Sequence, residues 1–463
     1  MAILRSYSII INISGGDNLM NSRFVNLAVL FALFSIIVSS GTALASGFAL
    51  IEQGVSGLGN AYAGGAAIAQ DATTIFFNPS GMTKLPSQME TAVHVIVPSF
   101  KFQNEGSRHI TGTPLLGGNG GEAGVAKVAP NLYFVKKISD QLAFGIGISS
   151  PFGLMTEYDR GWVGRYHAVK SDLMILNVNP SLAYKFNERF SVGAGLNISY
   201  IKAELTNAVD FGTIGFGLPG LVPQGNDGFA ELKGDTWGSG WNVGLLYEFT
   251  KNTRIGIAYR SKVSYKLKGE AEFSNVPASF QAVPALSALF KNCDIEAKLK
   301  TPDSLSISLY HSFNPQWAVM GDITWTNWRT FDELRIRFEN PNQPNSVVTT
   351  DWKDVLRFSM GATFAPTKTW TFRFGTAYDQ APTPNDRLIT ARIPDNDRFW
   401  LACGAGYSFT DTIAVNVGYA HLFIGDTKIN KSVSNPEDTL RGGLRGKYDG
   451  HVDIISAELK WAF

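Results

Sequence analysis

The chain closes on VDIISAELKWAF, residues 452–463. Ile455, Ala457, Leu459, Trp461 and Phe463 take every second place, with Ser456, Glu458 and Lys460 between them. A period of two belongs to a β-strand with one apolar and one polar face. The same period recurs upstream. Leu356, Phe358, Met360, Ala362 and Phe364 alternate with Arg357, Ser359, Gly361 and Thr363. Trp370, Phe372, Phe374 and Tyr378 alternate with Thr371, Arg373, Gly375 and Ala377.

Fourteen such segments lie near 89–103, 129–137, 141–149, 171–185, 190–205, 236–249, 253–267, 298–313, 316–333, 355–365, 370–379, 398–409, 413–423 and 452–463. The links between them alternate in length. Short turns fall at 138–140, 187–189, 250–252, 314–315, 366–369 and 410–412. Long loops fall near 104–128, 150–170, 206–235, 268–297, 334–354, 380–397 and 424–451. An even strand count with short turns at one end and long loops at the other predicts an all-β fold, a 14-stranded antiparallel transmembrane β-barrel. A closed barrel satisfies every backbone group without water, as lipid demands.

A soluble sandwich also alternates, but its second face would carry Lys and Glu. Here that face holds small residues, Gly193, Gly195, Gly244, Gly256, Gly361, Gly375, Gly404 and Gly406 among them, which suits a lumen. The closing stripe, ending in an aromatic, matches the assembly signal of bacterial outer-membrane barrels. The expected place is thus the outer membrane of a Gram-negative bacterium, with lipid around the wall. Trp241, Trp317, Trp325, Trp328, Trp370 and Trp461 fall mostly near strand ends, where interfacial girdles are expected.

Only 17% of the 463 residues are charged and the net charge is +1. No basic surface for nucleic acid is implied. At the N-terminus, Arg23, the apolar run FVNLAVLFALFSIIVSS and Ala43-Leu44-Ala45 make a secretory signal peptide ending at residue 45, with Met20 as the expected true start. An exported chain meets oxidising conditions, so a bridge between Cys293 and Cys403 is open, although two unrelated small residues is the simpler reading. Residues 46–88 do not alternate. They are rich in Gly and Ala and contain Phe48 and the stretch FFNPSGM at 76–82. A barrel of this size has a lumen that side chains alone do not fill, so this segment is expected to form a plug ahead of a barrel at 89–463. Pro79 stiffens the turn Asn78-Pro79-Ser80.

With these motifs in order, SGFALIEQGVSGLGNAYAGGAAIAQDA (46–72), NPS (78–80), PFGLMTEY (151–158), WGSGWNVGLLYEF (237–249), AYRSKV (258–263), NPQWAV (314–319), IPDNDRFWL (393–401) and LKWAF (459–463), the mature chain resembles the FadL/TodX family of outer-membrane transporters for long-chain fatty acids and other hydrophobic compounds. The resemblance implies an N-terminal hatch, capture of ligand among extracellular loops, and passage to a pocket beside the hatch. Exit is then sideways, through an opening made by a kinked third strand. It implies diffusion without an energy-coupling partner or cofactor, and a monomer. The hatch residues would be Phe48, Phe76, Phe77, Asn78, Pro79 and Ser80, the last in place of the family's usual Ala.

The loops point the same way by composition. Phe211, Ile214, Phe216, Leu218, Leu221, Val222 and Phe229 fall in one loop, and Val276, Phe280, Val283, Leu286, Leu289 and Phe290 in another. Apolar residues gathered on external loops mark a binding site, and the spacing of 280, 283, 286 and 290 predicts a short amphipathic helix. Ser149, Ser150, Pro151, Phe152 and Gly153 break the third strand's pattern, and the resemblance places a lateral gate there. The two basic positions that hold a carboxylate in the family fall on Asn207 and near Val348, neither of them basic. Arg254, Arg260, Arg357, Arg373 and Arg398 are the other lumen-facing cations, either headgroup contacts or members of a structural charge network. This departure leaves room for uncharged aromatic hydrocarbons or alkanes. A surface receptor or adhesin on the same barrel is the rival role. Enzyme readings find no support. His94, His109, His167, His311, His421 and His451 show no metal spacing, and no catalytic residues or phosphate loop emerge.

Overall fold

A computed structural model describes residues 47–463. The expected signal peptide, residues 1–45 with its start at Met20, lies outside the described residues. The alternating segments become fourteen strands. They begin with β1 (Gln88–Asn104), β2 (Lys127–Lys137), β3 (Leu142–Glu157), β4 (Lys170–Asn187), β5 (Phe190–Asp210) and β6 (Asp227–Thr250). The next four each come in two pieces: β7 (Thr253–Arg260, Val263–Ser274), β8 (Cys293–Thr301, Ser304–Ser312), β9 (Trp317–Thr326, Glu333–Phe338) and β10 (Ser346–Thr349, Val355–Phe364). The rest are β11 (Trp370–Asp379), β12 (Arg398–Ser408), β13 (Ile413–Ile424, Thr427–Asn430) and β14 (Arg445–Ala462). Neighbours pair antiparallel, and β14 closes on β1 from Gln88↔Ala462 to Asn104↔Gly446.

Four strands differ from the sequence expectation. The expected unbroken strands at 253–267, 298–313 and 316–333 are each interrupted. At Pro302 the ladder loses an N–H, and Asp303 accepts from Asn327 Nδ2 at 2.9 Å and the Tyr259 hydroxyl at 3.0 Å. The third strand does not end at Ser149. It runs on to Glu157 through a register shift against β4 between Ser149 and Phe152. Cys293 and Cys403 are free.

Residues 47–87 pack against the inward faces of the wall as short helices, Val55–Gly59, Gly65–Ile68 and Thr74–Phe77, and a 3-10 turn, Pro79–Lys84. Helices this short are not stable alone, so the wall holds them. The glycines of the small face mark where this backbone comes closest. A Cβ on Gly244 would collide with Asn78 Oδ1, and one on Gly256 with the Ala66 carbonyl. Asn78, fully buried, uses its whole amide. Nδ2 donates to the carbonyls of Ala66 (2.7 Å) and Leu245 (2.9 Å), and Oδ1 accepts from Ser80 N (3.1 Å) and Ser80 Oγ (2.6 Å). Asn78→Ala leaves these groups unpaired, at about 1–3 kcal/mol each. The expected outcome is faster amide exchange across 65–84 with the barrel's own protection unchanged, read by hydrogen–deuterium exchange.

Outside, Trp241, Trp317, Trp370 and Trp461 are exposed, as girdle residues should be. Trp328 is not. It is fully buried against Phe48, with ring centroids 4.9 Å apart, because the 3-10 turn Trp328–Thr330 folds it over the lumen.

Candidate transport route

The route is built around Phe48, which is 3% exposed and packs on Phe152, Trp328, Phe331 and Trp352. Its backbone completes a strand edge. β2 pairs with β3 only from Leu132↔Ile148 to Lys137↔Ala143. Above that, residues 127–131 of β2 pair with β1 alone. The facing edge of β3 pairs instead with the lumen segment: Leu50 N donates to the Pro151 carbonyl at 2.9 Å, and Gly153 N to the Phe48 carbonyl at 3.0 Å. The wall is therefore parted between β2 and β3, and the bulge at Ser149–Phe152 swings β3 away. A cavity of about 490 Å³ lies in the gap, lined by Phe48, Leu50, Pro130, Phe152, Gly153 and Leu173. Val128 and Met174 on its rim are 61% and 47% exposed on the lipid side.

A second, strongly apolar cavity adjoins it at Phe48, Leu154, Leu173 and Ile393. Leu205, Leu232, Leu267, Ile295, Phe331 and Ile336 line it, and Arg392 lies in its wall. Arg392 Nη1 donates to the carbonyls of Lys170 (3.1 Å) and Thr206 (3.4 Å) and to Ser171 Oγ (3.0 Å), and Nη2 donates to Asn207 Oδ1 (3.3 Å). No carboxylate lies within 4 Å of it among the described residues. Burial, then the nearby Arg441, push its pKa down to about 9, so it remains charged at neutral pH. Arg441 in turn donates to the Val347 carbonyl at 3.0 Å and to Ser346 Oγ at 3.1 Å. At both places where the sequence offers no basic residue, Asn207 and the neighbourhood of Val348, an arginine from another loop arrives. Burial and the same cations, Arg441, Lys431 and Arg392, push the His167 pKa down to about 3 and keep it neutral.

The arginines expected as headgroup contacts meet the following partners. Arg254 donates to the Ala67 carbonyl at 2.6 Å, Arg260 to Phe76 at 2.8 Å, Arg357 to Ala61 at 2.7 Å and Arg398 to Gly47 at 3.0 Å. Arg373 donates to Asn416 Oδ1 at 2.9 Å. Four of these tie the lumen segment to the wall, and Arg260 and Arg357 also line a cavity beside it, where Arg357 Nε and Nη1 have no hydrogen-bond partner. Phe76 and Phe77 meet edge to face at 5.2 Å, and Arg260 lies over the Phe76 ring. The Asn78-Pro79-Ser80 turn packs against β5 and β6. It does not pair with β3, because Phe48–Leu50 already occupies that edge.

In the loops, Phe211 and Phe280 are buried and meet at 5.5 Å, and Phe290 joins Phe211 at 5.0 Å. Phe216 and Val222 stay exposed, at 78% and 61%. Ile214, Leu218, Leu221, Val283, Leu286 and Leu289 are partly buried around them. The expected single helix is two short turns, Ala278–Ala282 and Pro284–Ser287. Pro284 lacks an N–H and its ring opposes a continuous helix from 280. Neither Arg392 nor the edge role of Phe48–Leu50 shows in the sequence pattern.

Closed antiparallel wall, apolar lipid face, aromatic girdles and an apolar route define an outer-membrane transport barrel. The family model of outer-membrane transport proteins described as OMPP1/FadL/TodX matches residues 36–463, and the chain belongs to that family. A long-chain fatty acid transport protein of Escherichia coli O6:H1 (strain CFT073) is 33% identical over 416 residues, covering 86% of this chain and 90% of its own. Among solved structures, a Pseudomonas aeruginosa FadL homologue superposes with a TM-score of 0.84 at 24% identity, covering 90% of this chain and all of that one. The Pseudomonas putida toluene transporter TodX superposes with a TM-score of 0.64 at 19% identity, covering 89% and 98%. At these identities the structural matches speak for the fold. The protein is an outer-membrane transporter of hydrophobic compounds.

Proposed function

We propose that the substrate is a long-chain fatty acid, taken up by diffusion through a single barrel. The loops around Phe211 and Phe280 gather it, the apolar cavity holds its chain, Arg392 holds its carboxylate, and it leaves between β2 and β3, with residues 47–87 acting as the hatch. Arg392 carries this reading: a buried guanidinium with no carboxylate beside it, in a wall that is mostly apolar, calls for an anion. Each buried methylene contributes about 0.8 kcal/mol, so the cavity supplies affinity and Arg392 supplies choice. A neutral hydrocarbon would leave the guanidinium unpaired.

The test is a competition, in detergent, between oleic acid, oleyl alcohol and toluene for a fluorescent fatty acid. The acid should displace the probe at far lower concentration than the alcohol. Equal displacement by acid and alcohol would move the assignment to uncharged hydrocarbons. No displacement by any of them would favour a receptor role.

A further inference from the structure

We propose that Asp71, Glu90 and Glu458 form a binding site for one divalent cation of the Ca²⁺ type, which fastens the lumen segment to the seam where the barrel closes. The inference is independent of the substrate. The three carboxylates come from the lumen segment, β1 and β14, and are 3%, 0% and 3% exposed. One oxygen of each lies within 4.8 Å of the other two. Their spacing in the sequence gives no hint of this, and only barrel closure brings residues 90 and 458 together.

Hydrogen bonds account for every oxygen of the group but one. Asp71 accepts from Ser56 Oγ, Thr73 N and Thr73 Oγ1. Glu458 Oε1 accepts from Asn416 Nδ2 at 2.7 Å, and its Oε2 accepts from Val55 N at 2.5 Å. Glu90 Oε2 accepts from Ala72 N at 3.1 Å. Glu90 Oε1 accepts from no N–H or hydroxyl group, and the Glu90 carboxyl lies within hydrogen-bond reach of the Glu458 carboxyl. Glu90 Oε1 points at the group: a Cβ placed on Gly54 would lie 3.3 Å from Glu90 Oε1 and 3.4 Å from Glu458 Oε2. Among the described residues the hydrogen-bond network reaches a positive charge through Asn416, whose Oδ1 accepts from Arg373 at 2.9 Å, and Lys460 acts on Glu90 without a hydrogen bond to it. Arg373 and the more distant Lys460 do not balance three buried carboxylates, and buried charge is costly unless paired. All-oxygen, carboxylate-rich donors of irregular arrangement suit Ca²⁺, which accepts flexible coordination. Mg²⁺ demands a near-ideal octahedron.

The experiment uses the full mature chain purified in detergent, stripped with chelator and then titrated with Ca²⁺ or Mg²⁺ alone. The expected result is one retained Ca²⁺ per chain by elemental analysis, a Ca²⁺-dependent rise in melting temperature, and slower amide exchange over 54–73. Glu90→Gln should lose both the metal and the rise while keeping the heat-modifiable gel shift of a folded barrel. An exposed control, Asp140→Asn, should lose neither. If the wild type holds no metal and Ca²⁺ leaves its melting unchanged, the three carboxylates are neutralised by protons and the proposal fails. A Ca²⁺ response in Glu90→Gln equal to that of the wild type would place the cation elsewhere and overturn it equally. If Glu90→Gln does not fold, the wild-type metal content and melting shift still decide.

Discussion

Arg392→Met should weaken binding of a long-chain fatty acid about 10- to 150-fold, the loss of charge-assisted hydrogen bonds of about 1.5–3 kcal/mol. Binding of the matching alcohol should change little. The effect is large because the Arg392 guanidinium is buried and meets no carboxylate among the described residues, whereas of the two lysines that also line the cavity, Lys233 and Lys268, the first is paired with Glu231. Arg392 already spends Nη1 and one Nη2 proton on Lys170, Ser171, Thr206 and Asn207, so its position is fixed before ligand arrives, and preorganisation of this kind favours affinity. The same variant should also lower the melting temperature of the empty protein, since Lys170, Ser171, Thr206 and Asn207 lose their donor. Arg357→Met should differ from it in binding. That residue donates to the Ala61 carbonyl, so its loss should loosen the hatch and leave the preference for acid over alcohol intact. Displacement titrations on both variants separate the two roles, and thermal melts read the stability of each.

Pro151→Val with Gly153→Val should cut uptake about tenfold or more while leaving equilibrium affinity within about 1.4 kcal/mol of wild type. Valine at 151 restores an N–H and strand propensity where the bulge needs neither. A Cβ at 153 would come within 2.9 Å of Leu50 Cδ1, inside the gap. Both changes favour a straighter β3 and a smaller opening beside β2. The readout is uptake of labelled fatty acid by cells lacking their own transporter, with surface amount and heat-modifiability as checks on assembly. Unchanged uptake with normal assembly would mean that substrate does not leave through this gap.

The barrel was legible because the pleat imposes a period of two and lipid imposes an apolar outer face, so strand after strand repeats one pattern. The short turns and long loops carried the orientation. The interior was harder to read. An arginine facing the lumen looks the same in sequence whether it meets a ligand or a backbone carbonyl, and Arg254, Arg260, Arg357 and Arg398 meet carbonyls. Arg392 sits in the irregular loop after β11, where no periodicity says which way a side chain faces. Proline and glycine at 151 and 153 read as a strand end, because the pattern does not show that β3 resumes on a shifted register. The glycines mark a lumen face in the sequence, but their cause, the close approach of residues 47–87, shows only in the fold.

A crystal of the protein soaked with a fatty acid brominated at its terminal carbon addresses the central claim most directly. Anomalous scattering locates the bromine without any assumption about the path. The expected map has the carboxylate within hydrogen-bond reach of the Arg392 guanidinium and the bromine in the apolar cavity or the adjoining gap beside Phe48. A bound acid whose carboxylate lies away from Arg392, with its chain outside both cavities, would contradict the account.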